Sequence, residues 1–170
     1  ILDSHGFDVI IFETLGVGQV EIDVMNEADT IVVVLVPESG DDIQMMKSGL
    51  IEIADIYIVN KSDRSGSDRL VTTLNNMLET NPSTNKDSWA TPVLKTNAIS
   101  AEGIDGFMGC VSGHLSFIKT KGILKEKIND RYKRQVKSII RNRYEGHFWR
   151  DDSKSNLLSK EISKEIKKGF

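Results

Sequence analysis

Thr30–Val36 reads TIVVVLV. A β-branched run of this kind, unbroken by any polar residue after its first position, marks a strand covered on both faces, as in a parallel sheet. It constrains the fold more than any other segment, because parallel strands need crossovers, usually helical, to bring the chain back to the same end. Phe7–Phe12 (FDVIIF), Ile56–Val59 (IYIV) and Val93–Thr96 read as further strands. Helical spacing fills the intervals. Ile43, Met46, Leu50 and Ile53 fall at steps of three and four within Asp41–Ala54, and Leu70, Leu74, Met77 and Leu78 repeat the pattern. Ile104, Phe107, Met108, Val111 and Leu115 do so again, although Gly106, Gly109 and Gly113 weaken that helix. Strand–helix alternation predicts an α/β domain with a mostly parallel sheet and flanking helices over residues 1–121.

Asn81–Asp87 is a polar loop, and the character of the chain changes near Gly122. Leu124, Ile128, Tyr132, Val136, Ile140 and Tyr144 recur every four residues along a basic stretch, and Leu157, Leu158, Ile162 and Ile166 form a second amphipathic segment. Residues 122–170 are therefore expected to be a helical appendage. Charge divides in the same way. Residues 1–110 hold 6 Lys/Arg against 18 Asp/Glu, and residues 111–170 hold 16 against 7. A basic tail raises nucleic acid as a partner, but Glu126, Asp130 and Glu145 interrupt it and no aromatic platform is interleaved, so a solvated face is the better reading.

With 39% hydrophobic and 28% charged residues the composition is that of a globular protein. Cys110 is the single cysteine, which excludes an intrachain disulfide and fits a reducing compartment. The longest apolar run, Ile31–Val36, is far short of the ~20 residues of a membrane helix. The expectation is a cytoplasmic protein with no membrane partner. Cys110 reads as a small core residue and Trp89 as packing over a sheet edge, while His5, His114 and His147 share no metal-ligand spacing.

Asn60-Lys61-Ser62-Asp63 stands where IYIV ends, and in open α/β sheets ligands bind at the carboxyl ends of strands. A carboxylate accepts at two oxygens, which matches the N1–H and N2–H₂ donors of guanine and nothing on adenine. Lys61 can lay its stem along the base, and Asn60 can tie neighbouring loops. A polar turn is the alternative. Thr96-Asn97-Ala98 closes the next strand, where Ala98 would offer a backbone N–H to the guanine carbonyl; Ser100-Ala101 imitates the pattern just beyond. Glu13-Thr14-Leu15-Gly16-Val17-Gly18-Gln19 follows FDVIIF. Glu13 suits Mg²⁺, which often takes one carboxylate and several waters, and Gly16 lets a backbone N–H approach a phosphate. Gln19 is a candidate for positioning an attacking water, or else a loop residue capping backbone groups. The phosphate-cradling loop G-x-x-x-x-G-K-[ST] does not occur: none of the 13 glycines precedes a lysine.

GFDVIIFETLGVGQVE and DTIVVVLVPESGDDIQMMKSGLIEIADIYIVNKSD resemble the MeaB/ArgK-type P-loop GTPases, also labelled LAO/AO transport system ATPases. The similarity covers nearly all of residues 5–120. Leu15 stands where that family usually has Val, and Asn97 where Ser is more usual. The resemblance implies a GTPase that binds GTP/GDP and Mg²⁺ and gates B12 cofactor loading and protection of an acyl-CoA mutase of the methylmalonyl-CoA type. It further implies that Glu13 and Gly16 serve the magnesium and γ-phosphate switch. Asn60, Lys61 and Asp63 would read guanine with Ala98 beside the base, and Asp41, Gln44 and Lys47 would lie on a mobile loop that signals to the mutase. C-terminal helices making a homodimer belong to the same expectation. So does a bacterial cytoplasm, placed ahead of a mitochondrial matrix. Because the chain opens at Ile1 without the phosphate loop, the expectation is the C-terminal part of such a GTPase, inactive alone. An interaction or oligomerisation module with an inert nucleotide-site remnant is the competing reading.

Overall fold

The computed structural model describes residues 5–14, 25–37, 53–80, 88–149, 156 and 160. Three strands, β1 (Val32–Leu35), β2 (Ile56–Val59) and β3 (Val93–Lys95), pair in chain order into a parallel sheet. Val32 stands opposite Ile56 and Tyr57 opposite Val93. Helix α1 (Ser67–Thr80) connects β2 to β3, and α2 (Ile104–Thr120) follows β3. The expected α/β architecture is present, as an incomplete sheet.

The covering on both faces expected of Thr30–Val36 fails for β1, where Val34 is exposed; it is β2 whose four residues are all buried. Alternation along the strands sends Val33, Leu35, Tyr57, Val59 and Val93 to one face. There Leu70, Val71, Leu74, Met77 and Leu78 of α1 pack against them, with Leu74 fully buried. The three-and-four spacing of the α1 residues makes this possible: it places them on one side of the helix, over the strands. Removing a side chain such as Leu74 from water contributes roughly 2 kcal/mol.

Phe7–Phe12 is not a strand, which corrects the sequence reading. Val9 is 75% and Ile11 86% exposed. A β-branched run becomes a strand only when adjacent backbone closes its hydrogen bonds, and none of the three described strands pairs with it. The helix expected at Asp41–Ala54 and the loop Asn81–Asp87 lie outside the described residues, apart from Ile53 and Ala54 at the end of the former. Among the glycines thought to weaken α2, Gly106 and Gly109 face open space and Gly113 faces Trp89, so the helix runs through all three.

At the amino ends of the strands a buried polar node joins the sheet to α2. His114 is 2% exposed. Its Nδ1 lies 2.9 Å from Thr30 Oγ1 and its Nε2 3.3 Å from Asp55 Oδ1. A carboxylate only accepts, so Nε2 carries a proton towards Asp55, while the Thr30 hydroxyl, which can donate or accept, pairs with Nδ1. Asp55 Oδ2 accepts from Ile31 N at 2.8 Å, and its carbonyl accepts from Trp89 Nε1 at 2.7 Å. Trp89 meets the His114 ring edge-on, with centroids 5.0 Å apart, and tilts against Phe117. Trp89 therefore helps to lock the node.

The chain divides into two compact units, Ile1–Lys125 and Glu126–Phe170. Helix α3 (Ile123–Trp149) supplies most of what is described in the second. Ile128, Tyr132, Val136, Ile139, Ile140 and Tyr144 are all exposed along it. The segment around Leu157–Ile166 lies outside the described residues apart from Lys160. Among the described residues no helix is long and apolar enough to cross a membrane.

Candidate functional site

The carboxyl ends of β2 and β3 bring two sequence-distant loops together. Asn60 follows β2 directly, its N–H donating to Leu35 O at 2.8 Å, and Thr96 follows β3, its N–H donating to Val59 O at 2.9 Å. These bonds extend the ladder one step beyond the strands and set the loops in register. The loops then bond to each other: Ser62 N–H donates to Thr96 O at 3.0 Å. Asn60 Oδ1 accepts from the buried Thr96 hydroxyl at 3.3 Å and from Ala98 N–H at 3.2 Å. Asn97 Nδ2 donates to Asp63 Oδ1 at 3.0 Å. Asn60 thus ties the loops as its amide predicts, with Thr96 as a partner that the sequence reading did not single out.

Backbone geometry makes the turns tight. Lys61 has φ 56°, a left-handed conformation that costs a non-glycine residue about 1–2 kcal/mol and persists only where surrounding bonds fix it. Here those bonds are Arg64 N–H to Lys61 O at 2.9 Å and Ser67 Oγ to Ser62 O at 3.0 Å. On the second loop, Ala101 is also left-handed, Asn97 N–H donates to Glu102 O, and Gly103 precedes α2 with φ 78°. A Cβ on Gly103 would overlap the carbonyl oxygen of Lys95. Gly103 is the second residue missed from sequence, although a glycine at the start of a helical pattern, seven positions after the strand end, was the available sign.

The arrangement presents a carboxylate beside a small-residue loop at the mouth of a parallel sheet. Asp63 is exposed; among the described residues Oδ1 keeps a lone pair beyond the Asn97 bond, and Oδ2 meets a loose pair to Arg64 Nε at 3.8 Å in solvent, which is worth little. Both oxygens can therefore meet paired donors on a planar ligand. Lys61 is exposed beside them. The Ala98 N–H already donates to Asn60, so a base carbonyl would share or replace that bond. Glu13 is also exposed. Gly16, Gln19, Asp41, Gln44 and Lys47 lie outside the described residues.

The family model described as Methylmalonyl Co-A mutase-associated GTPase MeaB matches residues 1–153. The chain belongs to that family. It is 42% identical over 82% of its length to a Pyrococcus abyssi protein named as a GTPase, of which it covers 44%. It is 30% identical over 74% of its length to GTPase ArgK of Escherichia coli, covering 39% of that protein. The mitochondrial methylmalonic aciduria type A homolog of Mus musculus is 29% identical over 87% of this chain, which covers 36% of it. The chain thus spans less than half the length of these MeaB-type relatives. In fold it is similar to a crystal structure titled LAO/AO transport system kinase, with a TM-score of 0.66 and 21% identity over 95% of this chain and 54% of that one. The family is one of GTPases and is mutase-associated by its description, which makes guanine nucleotide the class of ligand to weigh against the site.

Proposed function

We propose that this chain carries the guanine-reading portion of a GTP-hydrolysing chaperone that serves a B12-dependent acyl-CoA mutase. One observation carries the reading. Asn60 and Asp63 after β2, and Asn97 and Ala98 after β3, are hydrogen-bonded into one site at adjacent strand ends. In this reading Asp63 accepts from N1–H and N2–H₂ of guanine, Lys61 lies along the base, and Asn60 holds the Ala98 loop in place. Glu13 would hold Mg²⁺, which supplies Lewis-acid stabilisation of charge on the terminal phosphates. Gly16 and Gln19 are assigned to the γ-phosphate and the attacking water, and Asp41, Gln44 and Lys47 to the loop that signals nucleotide state to the mutase.

The 170 residues contain no G-x-x-x-x-G-K-[ST], and phosphoryl transfer in this class relies on that loop and its lysine. The chain by itself is therefore expected to release no phosphate from GTP above buffer. The full-length gene product is expected to bind GDP and GTP, to hydrolyse GTP, and to co-elute with its mutase in a nucleotide-dependent way. Loss of GDP binding in Asp63→Ala, with ATP ignored by the parent, supports the assignment. A parent with no preference for guanine overturns it.

The competing reading, an oligomerisation module, draws on the exposed apolar residues of α3. We assign that stripe to a homodimer, since a row of exposed Ile, Val and Tyr of this length asks for cover. Light scattering on the full-length product, with and without Ile128→Asp and Val136→Asp together, tests it. A dimer that becomes a monomer is expected; a monomeric parent, or a variant of unchanged mass, overturns the dimer.

A further inference from the structure

We infer that His114 is held as an imidazolium in the folded chain, which makes the node at the amino ends of the strands a proton-dependent clasp between α2 and the sheet. An imidazolium has two N–H donors and no acceptor. The node offers one acceptor to each donor. Asp55 Oδ1, on a carboxylate, stands 3.3 Å from Nε2, and Thr30 Oγ1 stands 2.9 Å from Nδ1. The hydroxyl is what admits the second proton. It donates to a bare Nδ1 and accepts from a protonated one without leaving its place, so neither state of the ring breaks a bond. Hydrogen-bond count leaves the two states level, and charge decides between them.

Burial at 2% exposure works against a charged ring. Asp55 works for it, and three bonds keep that carboxylate from turning away. Its Oδ2 accepts from Ile31 N–H at 2.8 Å, its carbonyl accepts from Trp89 Nε1 at 2.7 Å, and its own N–H donates to Ile31 O at 2.9 Å. Trp89 packs on the imidazole and Phe117 on Trp89, which shuts out the water that screens an exposed pair. With the ring charged, both partners of the Nε2 bond are ionised, the stronger kind of hydrogen bond. Thr30 before β1 and Trp89 before β3 bring neutral groups to the ring, and Cys110 stands one turn earlier on α2. Asp29, beside Thr30 in the chain, is a second carboxylate whose field favours the same charged form. The folded chain then binds this proton more tightly than the unfolded chain, where histidine titrates near its ordinary value of about 6.5. The contribution of the clasp to stability is complete below that value and is lost as pH rises through the midpoint of His114 in the folded chain.

The test reads the proton directly, by imidazole ¹⁵N–¹H correlation spectra of the full-length gene product labelled in histidine. The His114 signal is assigned through its contact with the Trp89 ring. At pH about 7.5, one unit above the ordinary value, its two ring nitrogens should resonate together, as in an imidazolium. A ring nitrogen in the unprotonated range at that pH overturns the inference. Asp55→Asn keeps the shape and removes the charge, and should lower the proton affinity of His114 about tenfold or more. Thr30→Val keeps the volume and removes the acceptor for Nδ1–H, so it should lower that affinity too, and it carries the test where Asp55→Asn does not fold. A midpoint unmoved in either variant overturns the inference. The melting temperature of the parent should fall as pH passes the midpoint, and a stability indifferent to it removes the clasp even where the ring is charged.

Discussion

At the carboxyl ends of the parallel strands, Asn60, Asp63, Thr96 and Asn97 bond to one another around an exposed carboxylate; at the amino ends, Thr30, Asp55, Trp89 and His114 bond to one another around a buried imidazole. Both clusters join loops distant in sequence, and both contain a carboxylate held by a side chain. Burial separates them. His114 is 2% exposed, and its two ring nitrogens face Thr30 and Asp55, so a ligand there would have to displace packed aromatic rings. Buried polar groups must be satisfied internally or the fold suffers. Asp63 has acceptor capacity left over and solvent to exchange for a ligand. The difference separates scaffold from candidate site: the scaffold cluster spends its hydrogen bonds on the protein, and the candidate site holds some in reserve.

The comparison breaks most severely at the hinge of the open end. Gly103→Ala puts a Cβ against Lys95 O at a left-handed φ, so both strain and overlap oppose it, and a loss of about 3 kcal/mol or more is expected in thermal or denaturant unfolding. An unchanged melting temperature would show that the β3–α2 turn relaxes freely. At the closed end, His114→Ala strands the Thr30 hydroxyl and Asp55 Oδ1 and opens a cavity beside Trp89. A loss of about 2–4 kcal/mol follows, with the GDP preference of the full-length product intact. If His114→Ala altered the nucleotide preference, the division into scaffold and site would be wrong.

Asp63→Asn sharpens the contrast from the other side. The substitution replaces an exposed acceptor by a donor, so stability should move by about 0.5 kcal/mol or less. Nucleotide choice should swing by about a hundredfold from GTP toward xanthosine triphosphate, whose base carries a carbonyl where guanine carries an amine. Competition binding reads both nucleotides at once, and an unchanged preference for GTP would take Asp63 out of the site.

The loops of the candidate site were more legible in the sequence than the sheet was. Asn60-Lys61-Ser62-Asp63 after IYIV gave their location because strand-end loops carry their chemistry in contiguous residues. β2, α1 and α2 were legible because their periodicity is set by burial that the described residues provide. Phe7–Phe12 has an equally good strand pattern, yet pattern records only what a segment would bury, and pairing depends on a neighbour. The amino-end node was invisible for a related reason. Thr30, Asp55, Trp89 and His114 share no spacing, since each comes from a different element and the fold alone brings them together. Asn97 was noted as a departure from the more usual Ser, but its bridging role needed the distance to Asp63.

Tyr57 offers the mildest test, because it sits in β2 between the two ends and belongs to neither. It is buried, and burial raises its phenol from about 10 to about 12 by penalising the charged form. In the unfolded chain the phenol ionises at its ordinary value while the folded protein still holds the proton, so the folded state binds more protons over that interval. Stability therefore falls as pH rises from about 10 to about 12, and is unaffected by this group below that window. Tyr57→Phe cannot ionise and should lose less stability over the same interval, whatever its starting value. Melting temperatures of parent and variant across that range read the difference, and the near-ultraviolet phenolate absorbance of parent minus variant locates the titration itself. If the two proteins lose stability in parallel, the middle of β2 is wetter than its burial implies, and the sheet is no longer a dry divider between an open site and a closed scaffold.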